Sequence, residues 1–79
     1  MVTVRYFAGA KAAAGRGEEQ VSAADVAELK AVLAQRHGPA LDKVLSASTL
    51  LVDGLAARSG ATALPAGCSV EVLPPFAGG

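Results

Sequence analysis

The sequence predicts an α+β domain, a mixed sheet of four to five strands with one main helix packed across it. Three observations carry this. Val2 to Phe7 alternates between two faces with a period of two, in residues that favour strands. The stretch from Asp25 to Gly38 has a cap at each end and an apolar stripe at helical spacing. Ser69 to Leu73 alternates again, with Val70 and Val72 on one face.

Along the chain, Val2, Val4 and Tyr6 oppose Thr3, Arg5 and Phe7, a strand with one face on the core. Gly9, Gly15 and Gly17 punctuate the next ten residues, with one helical turn over Lys11-Ala12-Ala13-Ala14. Gly15-x-Gly17 is no phosphate loop, because no strand-loop-helix context with a lysine and a hydroxyl follows it. Glu18 to Val21 returns as a short antiparallel strand. Asp25 is an N-cap and Glu28, three residues on, completes a capping-box-like pair, with Ser22 and Asp25 as a competing start. Val26, Leu29, Val32 and Leu33 form the stripe, while Glu28, Lys30, Gln35 and Arg36 lie mostly off it. Gly38 supplies the C-terminal cap and Pro39 forbids continuation. A hairpin, a capped helix and further strands describe a β-grasp. Pro39 to Leu45 reads as a short helical turn carrying Leu41, Val44 and Leu45 into the core. Thr49 to Val52 is a strand closed by the Asp53-Gly54 turn dipeptide. The weakly patterned 55–63 should hold short strand fragments and loops, and Leu64-Pro65-Ala66-Gly67 is turn chemistry before the last strand.

Composition narrows the function. Seventy-nine residues make one domain. Seven Lys/Arg balance seven Asp/Glu and are scattered, so no basic stripe suggests nucleic acid. At 52% hydrophobic, so small a domain is expected to leave an apolar patch exposed for a partner protein. A single cysteine excludes an internal disulfide framework and fits a reducing compartment. No basic, then apolar, leader opens the sequence and no apolar run approaches ~20 residues, so a soluble cytoplasmic protein away from membranes is expected.

The last seven residues, Leu73-Pro74-Pro75-Phe76-Ala77-Gly78-Gly79, organise the rest. Each proline fixes φ and removes a backbone donor, so the segment continues neither sheet nor helix. The residue before each proline is pushed to extended geometry, which makes a stiff spacer. Ala77, Gly78 and Gly79 then carry almost no side-chain bulk. The expected organisation is a β-grasp domain over 1–73 and a C-terminal tail over 74–79, stiff at the prolines and flexible at the glycines. Such a tail suits a channel too narrow for side chains, with its carboxylate presented at the far end.

The tail, the opening strand Val2 to Ala8, the helix from Val26, the Val52-Asp53-Gly54 turn and the Leu64-Pro65-Ala66-Gly67 approach together resemble the MoaD/ThiS family of ubiquitin-like sulfur carriers. The likeness is greatest to the small subunit of molybdopterin synthase. Such proteins place the last strand parallel to the first, at the middle of the sheet. The resemblance implies that the Gly79 carboxylate is the reactive group, adenylated and then converted to a thiocarboxylate, with Gly78 keeping the acyl carbon unhindered. The chain would act as a substrate rather than a catalyst and bind no cofactor itself, while ATP and Mg²⁺ serve the activating partner. The implied partners are a ubiquitin-activating-type adenylyltransferase, a sulfurtransferase and the large subunit of molybdopterin synthase. Alternatives stay open: a carrier feeding thiazole or cysteine synthesis, a ubiquitin-like tag joined to lysines, or an interaction module whose tail is incidental. The Pro-Pro-Phe-Ala-Gly-Gly ending favours the molybdopterin branch.

Partner contact is expected from Phe76, an aromatic with no core to enter, together with Leu73, Pro74, Pro75 and Ala77. Phe7 is a further candidate, for which burial against the following loop is an equal reading. His37, at the end of the helix, reads as a capping or solvent-facing cation rather than a catalyst. Cys68 reads as an inert, partly buried thiol where related sequences more often carry Asp or Thr. One His and one Cys leave too few soft ligands for a structural zinc site.

Overall fold

A computed structural model describes residues 1–75; Phe76 to Gly79 lie outside the described residues. Val2–Tyr6 forms β1, Gly9–Ala14 α1, Glu18–Val21 β2, Val26–His37 α2 and Pro39–Ala47 α3, followed by Thr49–Val52 (β3), Leu55–Ala56 (β4) and Ser69–Leu73 (β5). The strands make one sheet in the order β2-β1-β5-β3-β4. β1 and β5 are parallel at its centre and every other pairing is antiparallel. The predicted α+β, mixed-sheet architecture is therefore the observed one.

Period-two alternation puts Val2, Val4, Tyr6, Val21, Leu50, Val70 and Val72 on one face of the sheet, all buried. The helices cover that face with Leu29, Leu33, Leu41 and Leu45, each at most 1% exposed. The core is a single cluster, to which Val32 and Val44 contribute only as half-buried flanks.

The start of α2 is fully accounted for. Asp25 Oδ1 accepts the Glu28 N–H at 2.8 Å, and Glu28 Oε1 reaches back to the Ala24 N–H at 2.8 Å, one residue before the cap. The Val26 and Ala27 N–H groups donate to Thr62 O and Gly60 O, so the loop after β4 plugs the helix end. A Cβ on Gly60 would stand 3.1 Å from Ala27 Cβ, which is why that loop carries a glycine there.

Two elements exceed the sequence expectation. The turn over Pro39 to Leu45 is a nine-residue helix, because Pro39 opens it, Leu41 and Leu45 bury one stripe, and the Ser48 hydroxyl donates to Val44 O at its end. The Ala-rich 9–14 is a six-residue helix pinned by the buried Ala10 and closed by Gly15 in the left-handed region. At the β3–β4 turn, Asp53 (φ 48°) and Gly54 (φ 87°) both have positive φ, the geometry of a tight hairpin. Asp53 Oδ1 also accepts the Ser69 N–H at 2.9 Å, tying the hairpin to β5. No helix among the described residues is long and apolar enough to cross a membrane.

Candidate functional site

The site is the root of the tail. β5 lies between β1 and β3, held in register by Tyr6↔Val72 on one side and Thr49↔Leu73 on the other. The Phe7 N–H donates to Val72 O at 3.3 Å, one bond beyond the end of β1. Leu73 therefore leaves the sheet from its middle strand, paired on both sides. Pro74 follows half-buried and Pro75 exposed. Neither proline has an N–H to offer a neighbouring strand, so pairing ends there.

The sheet face away from the helices surrounds this exit. Alternation places Thr3, Arg5 and Phe7 of β1 and its extension on it, beside Ser69, Glu71 and Leu73 of β5 and Leu51 of β3. Phe7 is 40% exposed, which decides against burial under the following loop. Leu73 and Leu51 are half-buried, and Arg5 pairs with Glu18 of β2 at 3.3 Å. Leu73 thus has Phe7 on its β1 side and the exposed Thr49 on its β3 side, with Leu51 opposite Glu71 two residues back along the strand and charge toward β2. Of the expected contact residues, the structure brings Phe7, Leu73, Pro74 and Pro75 to one end of the sheet. Phe76, Ala77, Gly78 and Gly79 lie outside the described residues.

On the helix side, a polar cluster escaped the sequence reading. The carboxylate of Glu19, 2% exposed, accepts the Tyr6 hydroxyl at 2.6 Å and an Arg36 N–H at 2.8 Å, and also contacts His37 Nε2. Arg16 adds a guanidinium at 3.8 Å. His37 is accordingly no solvent-facing cap: its side chain is 12% exposed, set edge-on to the Tyr6 ring and tied to Glu19. Burial would raise the Glu19 pKa, but the hydrogen bonds from Tyr6, Arg36 and His37 outweigh it and hold the carboxyl below its ordinary value. Burial, helped by the Glu19 bond, pushes the Tyr6 hydroxyl well above its usual range. A signal was present: alternation in Glu18-Glu19-Gln20-Val21 sends Glu19 inward with Val21, and an inward glutamate needs donors.

Cys68 is 3% exposed at the head of β5, and burial together with the Asp53 carboxylate raises its pKa. That suppresses the thiolate and leaves a packing residue.

A five-stranded mixed sheet whose middle strand runs parallel to the first, with helices on one face and Pro74-Pro75 following directly on that middle strand, defines a ubiquitin-like β-grasp protein. The sequence model of the ThiS family matches residues 4–79, and the chain belongs to that family of small ubiquitin-like sulfur carriers. Direct sequence comparison with curated proteins finds no match. Among solved structures, the chain is similar to small archaeal modifier protein 1 of Haloferax volcanii (27% identity, 99% of this chain and 98% of that one, TM-score 0.83). It is also similar to a Pyrococcus furiosus protein assigned as molybdopterin converting factor subunit 1 (27%, 95% and 97%, TM-score 0.79). A third is found in the complex of subunits 1 and 2 of the Helicobacter pylori molybdopterin-converting factor (27%, 99% and 97%, TM-score 0.75).

Proposed function

We propose that this chain carries sulfur as a thiocarboxylate on Gly79 and serves as the small subunit of a molybdopterin synthase. The observation that carries the reading is the passage from β5, central and parallel to β1, directly into Pro74-Pro75 and the Gly-Gly end. A rigid strand followed by a stiff spacer fixes the direction in which a reactive terminus is offered, and orientation of reacting groups is a large part of catalytic efficiency.

The chemistry needs activation, because a carboxylate would have to expel oxide. A Gly79 oxygen attacks the α-phosphorus of ATP and pyrophosphate leaves, giving an acyl adenylate. Hydrosulfide attacks the acyl carbon and AMP departs with the electron pair, leaving the thiocarboxylate and a proton. A persulfide from a sulfurtransferase would instead give an acyl disulfide, which a thiol cleaves to the same product. An adenylyltransferase of the ubiquitin-activating type supplies the site for ATP and Mg²⁺, and the large subunit receives the tail for sulfur transfer.

A second reading, a protein modifier joined to lysines, is favoured by the similarity to the archaeal modifier protein. Both readings share the activated terminus and differ in the acceptor. Intact-mass analysis of the protein from sulfur-replete cells separates them. A fraction shifted by one oxygen-to-sulfur exchange at Gly79 supports the carrier, whereas isopeptide adducts alone would replace it with the modifier.

A further inference from the structure

Among the described residues the sheet has two unpaired edges, and they differ. β4, at one edge, is two residues long, too short to template another strand. β2, at the other, is four residues long, holds no proline, lysine or glycine, and pairs only with β1. The Tyr6 N–H donates to Gly17 O at 2.8 Å, directly across the register that runs on through Arg5↔Glu18. Alternation then points the backbone groups of Gly17, Glu19 and Val21 at β1 and those of Glu18 and Gln20 outward. One bond confirms the direction: Arg36 Nη1 reaches Gln20 O from outside the sheet, at a long 3.4 Å.

This edge is also charged on one flank. On the helix side, Arg36 and Arg16 both turn to the single Glu19 carboxylate, at 2.8 and 3.8 Å. That carboxylate already accepts the Tyr6 hydroxyl and contacts His37, so two guanidinia share one negative charge and a positive charge is left over. The Arg16 and Arg36 side chains are 56% and 45% exposed, which leaves donors on each fork facing water. On the opposite flank, Glu18 is taken by Arg5.

We propose that the β2 edge takes up an extended acidic segment of a partner protein as an added strand, with its carboxylates on the Arg16 and Arg36 flank. The exchange of bonds favours it. A partner N–H replaces Arg36 at Gln20 O, and the released guanidinium turns to a partner carboxylate, a stronger bond for its charge. Every second side chain of the added strand points to that flank, so acidic residues two apart are what the edge recognises. A second copy of this chain fits worse. Antiparallel pairing of two β2 edges about a two-fold axis sets Arg16 and Arg36 of both copies on one flank, where like charges repel. β1 stands between β2 and β5, so the added strand leaves the tail root open, and the inference does not depend on what Gly79 carries.

The test is a titration of the isotope-labelled full-length protein, followed by amide NMR, with a short blocked peptide of alternating aspartate and valine as the probe. The Glu18 and Gln20 amides should shift, and their hydrogen exchange should slow at least about tenfold at saturation. The same peptide with lysine for aspartate should not bind. Neither should the aspartate peptide once it is N-methylated along its backbone, which removes its donors. Arg16→Gln or Arg36→Gln should raise the Kd on the order of two- to fivefold, the range of an exposed ion pair. Salt raised from about 50 to about 300 mM should act in the same direction. Gln20→Pro deletes an outward N–H and no bond to β1, so it should weaken binding with the melting temperature kept. If that variant does not fold, the N-methylated probe decides the same question on the unaltered protein. Glu18 and Gln20 amides undisturbed at millimolar probe, equal binding of the lysine peptide, or binding of the N-methylated peptide would each overturn the inference. So would shifts at Glu18 and Gln20 that grow with protein concentration alone, which would give the edge to a second copy.

Discussion

The Tyr6 hydroxyl, at the end of the first strand, donates at 2.6 Å to the carboxylate of Glu19 on the second, inside the layer between sheet and helices. Tyr6 is also paired in register with Val72, next to the tail root. The polar cluster therefore anchors the part of the sheet from which the tail departs. Removing the carboxylate in Glu19→Ala strands the buried Tyr6 hydroxyl and the mostly buried His37 imidazole, while Arg36, 45% exposed, can turn to water. The expected loss of folding stability is about 3 kcal/mol, in the range seen when one partner of a buried pair is removed. Denaturant titration at neutral pH checks it; a change near zero would mean that water satisfies the donors and the cluster carries no stability.

Acid should act on the same group. The folded Glu19 carboxyl has a depressed pKa, so its contribution is present above the unfolded carboxyl value of about 4.3 and is lost as pH falls through the lower folded value. Denaturant midpoints measured from neutral pH down to about pH 3 should therefore decline more steeply for wild type than for Glu19→Gln, which cannot titrate at this position. Parallel declines would assign the acid sensitivity to other carboxylates.

Phe7 and Phe76 should matter to partners more than to folding. Phe7→Ala removes a side chain already 40% exposed, so its effect on stability should stay within about 1 kcal/mol. Either Phe7→Ala or Phe76→Ala should weaken partner binding by about 1–3 kcal/mol, measured by calorimetric titration. A melting-temperature drop typical of a core truncation would place the ring inside the fold instead.

Cys68 should be a bystander. With the thiol buried and its pKa raised, alkylation by iodoacetamide in the native state should be slow and should become fast on unfolding. Cys68→Ala should still acquire sulfur at the terminus. Loss of that sulfur from a folded Cys68→Ala protein would make the thiol a participant.

The fold was legible wherever one face of an element decides its pattern. Val2, Val4 and Tyr6, and later Val70 and Val72, fixed two strands by alternation, and Asp25 with Glu28 marked the main helix start. The second helix of the α2–α3 pair was under-read because Pro39, Ser46 and Ser48 weaken its local signal, while the burial of Leu41 and Leu45 that decides the matter is tertiary. His37 was misread for a similar reason: position at a helix end suggested solvent, and its partner Glu19 lies 18 residues away in sequence. The tail was conspicuous because proline constrains the backbone and glycine frees it, and neither effect needs neighbours.

Function through the terminus predicts strict dependence on the last two residues. Gly78→Ala and then Gly78→Val should reduce sulfur delivery in that order as side-chain bulk enters a backbone-wide passage, with melting curves unchanged. The most direct measurement compares the intact masses of the full-length and Gly79-deleted proteins after incubation with the adenylyltransferase, ATP, Mg²⁺ and hydrosulfide. Deletion withdraws the carboxylate by about 3.5 Å, while misplacement of about 1 Å can cost on the order of a hundredfold in rate. The full-length chain should gain one oxygen-to-sulfur exchange at Gly79 and the shortened chain none. Equal conversion of both, or conversion of neither under conditions that activate a known carrier, would contradict a carrier function built on Gly79.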